Sequence, residues 1–150
     1  MKNARVAVLL TLGAVLGIGG VLPRYSLGEL TAGSEIIVEG RVTHTWTAWD
    51  RKHTFIWTHY EVQTGEVLKG FSAAAITVSE PGGALDGVQQ LFSGAIPYTI
   101  GEHVVLFLYR TPIGYLRTRG GPQGKFSTES DASLAALKVR IRELTKLEAH

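Results

Sequence analysis

The chain contains no cysteine. That excludes a disulfide framework, a thiol nucleophile, a zinc ribbon and a lipid-modified cysteine anchor. Acidic side chains are missing from the start of the chain, where Lys2 and Arg5 come well before the first carboxylate, Glu29. From Arg24 onward, 13 basic residues stand against 13 acidic ones, so the body of the protein is neutral. The pI near 9.0 therefore owes much to the first residues, and bulk charge gives no case for nucleic acid. A Gly-x-Ser-x-Gly elbow is also absent. Pro81-Gly82-Gly83-Ala84 lacks the following Lys-Ser/Thr and helix start of a phosphate loop and reads as a tight turn between strands. Gly120-Gly121 with Lys125 fails the same test.

What is present is a globular composition: 45% hydrophobic and 19% charged residues in a chain of 150, with no repeat, linker or low-complexity tract. Residues 6–22 are uncharged and apolar except for Thr11, and they follow the basic start. This is the layout of a secretory signal, and it predicts a protein that is secreted or periplasmic. The alternative is an uncleaved anchor facing outside, because this run of 17 residues reaches the lower limit for a membrane span. Residues 1–23 are thus assigned to a signal peptide or membrane anchor, and 24–150 to a single domain.

The body reads as strands followed by one helix. Ser26-Leu27-Gly28-Glu29 is a capping box that opens a short helical turn. Strands are predicted from Glu35 through Trp46, over 54–68, over 75–79 and over 88–92. Residues 103–109 form a continuous apolar run, as in a strand buried on both faces, with 113–119 as its hairpin partner. A helix over about 128–148 follows, capped by Thr128 or Ser130, with Leu134, Leu137, Ile141, Leu144 and Leu147 in one stripe. That stripe could pack on its own domain or on a second copy. Five or six strands with a terminal helix predict a mainly β fold. The expected form is a small five- to six-stranded OB-like barrel with an N-terminal signal or anchor helix and a C-terminal amphipathic helix.

Two resemblances support that expectation. Residues 60–71, with Tyr60, Val62 and the ending Leu68-Lys69-Gly70, resemble the second strand of the tissue inhibitors of metalloproteinases. Ser34-Glu35-Ile36-Ile37-Val38-Glu39-Gly40-Arg41-Val42 looks like that family's first strand, and Val88 and Tyr98-Thr99-Ile100-Gly101-Glu102 sit where it has later ones. The order from Ser26 to Phe126 also resembles uncharacterised bacterial exported proteins with an inhibitor-like (netrin-like) OB-fold domain. There a leader, Ser-Leu-x-Glu-Leu, a Gly-Arg-Val strand, Pro-Gly-Gly, an apolar run and Gln-Gly-Lys-Phe follow in sequence. The resemblance implies the fold and not the inhibitor's action. That family wedges an N-terminal cysteine onto its target's zinc, and this chain has no cysteine.

The first hairpin holds the candidate site. With a two-residue turn at Arg51-Lys52, His44 would face His59, Trp46 would face Trp57 and Ala48 would face Phe55. Two imidazoles could hold a metal, with Glu61 a neighbour but no third ligand evident, and flanking aromatics could stack on a base or sugar. Packing of the paired aromatics is the plainer reading. A one-residue slip would destroy the pattern. Elsewhere, Glu35, Glu39, Glu61, Glu66 and Glu80 are scattered over different strands, and His103 marks a strand entry. Arg110, Arg117 and Arg119 cluster around the last hairpin and could form a basic patch, but the alternation Arg117/Arg119 reads as its solvent face.

These readings converge on an exported module that binds without catalysing, with no cofactor and no resident metal. It would recognise a protein partner in the cell envelope or outside the cell through Trp46, Trp49, Trp57, His44 and His59. A membrane-tethered accessory subunit, a carbohydrate- or oligonucleotide-binding OB domain and a metal-dependent protein remain open at this point.

Overall fold

The computed structural model describes residues 23–127 and 130–150. The expected signal or anchor helix lies outside the described residues. The capping box forms as read. Ser26 Oγ accepts from the Glu29 amide at 3.2 Å, and the Glu29 carboxylate accepts from the Ser26 amide at 2.7 Å. It opens α1 (Leu27–Gly33).

Two long strands follow, β1 (Ile36–Trp49) and β2 (Ile56–Lys69), then β3 (Ala75–Pro81). A small separate hairpin, β4 (Gly83–Leu85) with β5 (Val88–Gln90), comes next. The chain returns to the main sheet with β6 (His103–Arg110), β7 (Leu116–Thr118) and β8 (Lys125–Ser127), and ends in α2 (Asp131–Glu148). The main sheet has six strands in the order β1-β2-β3-β7-β6-β8, and β1 also pairs with β6. The pairings therefore run in a closed circuit, β1-β2-β3-β7-β6 and back to β1. All are antiparallel except β3 against β7, which meet in parallel at Val78 and Leu116. β7 and β8 succeed one another along the remaining edge of β6.

Strand β1 pairs with β6 from Ile36 to Arg41 and with β2 from Ile37 to Trp49. Its register against β2 slips at three places, between Ile37 and Val38, between Glu39 and Gly40, and between Val42 and His44. Gly40 permits a close approach of β1 to β2, since a Cβ there would stand 2.4 Å from the Gln63 carbonyl oxygen.

Inside the circuit lie Ile36, Val38, Val42, Tyr60, Val62, Val78, Val104, Leu106, Leu108 and Leu116, with Ile96 and Tyr98 from the β5–β6 connection. A second apolar cluster sits outside β1 and β6: Leu30, Ile37, Leu68, Val105, Phe107, Leu134 and Ile141. The two clusters use alternate residues of β6, so the continuous run read from the sequence is indeed buried on both faces. The helix stripe packs on its own sheet through Leu134, Leu137 and Ile141. Leu147, at the end of the stripe, is exposed.

Several element readings need correction. The strand read over 88–92 is shorter, Val88–Gln90, and it folds back on Gly83–Leu85 instead of joining the main sheet. The positive φ of Gly82 and Gly83, at 102° and 137°, turns the chain into that hairpin. Ser130 is the N-cap residue of α2 but makes no capping bond with its side chain; Thr128 lies outside the described residues. The β1–β2 turn spans residues 50–55 and not two residues. The Asp50 carboxylate accepts from the amides of Thr54 and Phe55 at 2.7 and 3.1 Å, and the Asp50 amide donates to the Phe55 carbonyl at 2.8 Å. An aspartate that supplies the turn's acceptors stabilises a longer loop, with His53 in the left-handed region at φ 51°.

Candidate functional site: an aromatic face on the first hairpin

The longer turn shifts the register by two residues. His44 stands opposite Glu61, Trp46 opposite His59, and Ala48 opposite Trp57. His44 and His59 therefore do not face each other. A shift of two leaves every side chain on the face it was read to occupy, so His44, Trp46, Trp57 and His59 still share the outer face of β1 and β2.

Three of these four form a compact group. Trp46 stacks on His59, with ring centroids 5.3 Å apart and planes 28° from parallel. Tyr115, on the approach to β7, closes the other side. Its ring meets His59 edge-on at 5.4 Å and Trp57 edge-on at 4.9 Å. His44 lies one pair further along the hairpin and is exposed. Trp49 is odd-numbered where Trp46 is even, and alternation turns it to the opposite face. There its Nε1 donates to Asp86 at 2.9 Å and its ring stacks on His53. The tryptophans are thus divided, and Trp49 holds the small β4–β5 hairpin against the long one.

Burial differs sharply within the group. Trp46 is 43% exposed, whereas His59 beneath it is 7% exposed. His59 Nδ1 lies 2.7 Å from Ser79 Oγ of β3, and burial holds the imidazole below its ordinary pKa. The spacing would suit a nucleophile and its base, but Ser79 is only 1% exposed, so its hydroxyl is presented to the imidazole and not to solvent. The bond fixes the His59 ring as a floor for Trp46. Trp57 is half-buried, and its Nε1 is shielded from water without an acceptor.

Beyond Tyr115 the same face continues along β7 to Arg117 and Arg119, which are half-buried and not the freely solvated residues expected. Arg117 Nη2 donates to the Glu80 carboxylate at 3.2 Å. Glu80 is 2% exposed and also accepts from the Thr118 amide and hydroxyl. Burial raises its pKa, against the pull of Arg117. Tyr98 hydrogen-bonds the same Thr118 hydroxyl.

Two of the scattered carboxylates, Glu39 and Glu66, meet, while Glu35, Glu61 and Glu80 have separate partners in Arg110, Thr43 and Arg117. Glu39 and Glu66 are cross-strand partners, but Lys138 of α2 lies 2.9 Å from each, with His103 on Glu39 and Arg142 on Glu66. This is an ion network beneath the helix. Among the described residues, no group of three or more histidines and carboxylates is placed to hold a metal ion.

Tyr115 and Ser79 are the members of the site that the sequence reading missed. Ser79 enters as the cross-strand partner of His59 in the antiparallel β2–β3 pairing, and Tyr115 through the parallel approach of β7 to β3, a pairing with no local sequence signal. The alternation Tyr115-x-Arg117-x-Arg119 was the only trace of it.

No protein-family model matches the chain, and no curated protein matches it as a relative.

Proposed function

We propose that this protein is an exported, non-catalytic binding module. It would be built as an OB-like barrel of the metalloproteinase-inhibitor type and would recognise a protein partner through Trp46, Trp57, His59 and Tyr115. The circuit β1-β2-β3-β7-β6 with its one parallel pairing supports the OB-like reading, as does the long first hairpin that overhangs it. One observation carries the functional reading. A large aromatic side chain, Trp46, stays 43% exposed while stacked on a ring that is itself immobilised. A rigid, amphipathic side chain of this kind contributes much of the binding energy in protein interfaces, since little of its freedom remains to be lost. The site would work in the cell envelope or outside the cell.

The test is mass spectrometry of the full chain purified gently from its native host, in parallel with Trp46→Ala. A shortened chain with a stoichiometric protein companion that Trp46→Ala loses would support the module. A companion retained by a folded Trp46→Ala protein would overturn the assignment to this face. An intact N-terminus in the company of membrane subunits would favour the tethered subunit instead.

The outer face of the second and third strands is also where OB barrels take oligosaccharides and oligonucleotides, and here that face carries Trp57 and His59. Saturable quenching of tryptophan fluorescence by such a ligand, without a protein companion, would favour that second reading.

A further inference from the structure

Next to the aromatic face lies a cleft of about 440 Å³, within the range of small-molecule sites. Its walls are the rings of Tyr25 and Tyr109, with Pro23 and Pro122, and its polar groups come from Arg117, Arg119 and Gln123. The cleft is framed by the Gln123 side-chain amide, which bonds to the backbone. Gln123 accepts from the Tyr25 amide at 2.9 Å and donates to the Pro23 carbonyl at 2.9 Å, which pins the segment before α1 to the loop after β7. The Arg119 amide donates to Phe107 at 2.7 Å and fixes the base of that side chain.

The two arginines differ in their partners. Arg117 is matched by buried Glu80. Arg119 has its guanidinium carbon 5.9 Å from the ring centroids of both Tyr25 and Tyr109. The Nε of each arginine is shielded from water without an acceptor, but among the described residues only the Arg119 guanidinium meets no carboxylate and no carbonyl. A Cβ on Gly33 would stand 2.7 Å from its Nη2, so the end of α1 leaves space for the guanidinium. A guanidinium with aromatic neighbours and unspent donors is pre-organised for a planar oxyanion, which it can grip with two parallel bonds.

We propose that this cleft binds a small organic anion, an apolar body bearing a carboxylate or a phosphate. The oxyanion sits on Arg119, and the body lies against Tyr25, Pro23 and Pro122. The site is separate from the Trp46 surface, and its failure would leave the protein-binding reading untouched.

The experiment uses the full chain with benzoate and phenyl phosphate as probes and benzyl alcohol as the neutral control, at constant ionic strength. The ¹H–¹⁵N resonance of Arg119 Nε reports contact without any substitution. Saturable shifts of that resonance by either anion are expected, with Kd on the order of 1 mM for ligands of this size, and none by the alcohol. The tighter of the two anions identifies the head group. Arg119→Gln should weaken binding by about tenfold or more, and Arg119→Lys by less, because charge remains while the fork is lost. Arg110→Gln, at an exposed arginine paired with Glu35, should change nothing. An Arg119 resonance unmoved by both anions would overturn the site, and so would binding that a folded Arg119→Gln protein retains.

Discussion

The outer surface of the strand circuit has two opposite treatments. Over β1 and β6 it is largely aliphatic and covered: α2 lays Leu134, Leu137 and Ile141 on Ile37, Leu68, Val105 and Phe107. Charge then closes the margin through Glu39, Glu66, Lys138 and Arg142, and through Lys69 with Glu148. Over the far ends of β1 and β2 and the start of β7 it is aromatic, and among the described residues no helix lies over it. Trp46, His59, Trp57 and Tyr115 cover one another instead. The same two strands run through both regions, so strand propensity does not explain the contrast. Aliphatic side chains leave water only beneath another element. Stacked rings with polar edges can stay half-wet at little cost, and a surface that must meet a partner needs that property.

The largest effect should come from the covered region. Phe107 is fully buried between the sheet and α2, touching Phe126 at 5.6 Å between centroids. Phe107→Ala should lower the unfolding free energy by about 3–5 kcal/mol, read from the urea midpoint. A loss below ~1 kcal/mol would mean that α2 is not a structural cover, and the contrast between the faces would fail.

The charged margin makes a smaller, pH-dependent contribution. The Lys138 ammonium holds the Glu39 and Glu66 carboxyls below their ordinary pKa of 4.5. Carboxyls lowered in the folded state stabilise it above that value, and the benefit is lost as pH falls through the folded pKa. Lys138→Met should therefore flatten the fall in thermal midpoint between about pH 5 and pH 3 relative to the unsubstituted protein. At neutral pH its cost should be about 1 kcal/mol, since the groups remain partly exposed to solvent. Parallel curves for the two proteins would remove the network from the account of acid sensitivity.

On the open face the pH window is different. Burial lowers the His59 pKa below its ordinary 6.5, so the folded state favours the neutral ring. Stability from this residue is present above pH 6.5 and declines as pH falls toward the folded pKa, because the unfolded chain takes up the proton first. His59→Gln should remove the part of the decline that lies just below pH 6.5 and leave the Lys138-dependent limb in place. If the decline persists in that window, another group causes it.

How much of this contrast was legible in the sequence depends on the range of each interaction. The capping box at Ser26, the doubly buried β6 and the stripe of α2 were all readable, because each is encoded within a few residues. The face of Trp46, Trp57 and His59 was readable too, since alternation survives a two-residue error in register. The register itself was not. It depends on Asp50 closing a longer turn, where the dipeptide Arg51-Lys52 gave no sign of it. Alternation alone would have separated Trp49 from Trp46, had it been applied to the three tryptophans together. Tyr115 and the Glu80–Arg117 pair were out of reach, since they depend on the meeting of β3 and β7, strands far apart in the chain; Ser79 depends on the β2–β3 register, which pairs it with His59.

The smallest effect on stability should accompany the largest effect on function. Trp46 is 43% exposed and stacks on His59, so its removal opens onto solvent. Trp46→Ala should therefore cost about 1 kcal/mol or less, far below Phe107→Ala, and should keep the β-sheet circular dichroism intact. Trp57→Ala should cost more, because Trp57 is half-buried against Tyr115. If Trp46→Ala destabilised the fold as severely as Phe107→Ala, Trp46 would be part of the packing and the two faces would differ only in residue type. A Trp46→Ala protein that folds normally and loses its companion would show that this aromatic surface is kept open for use.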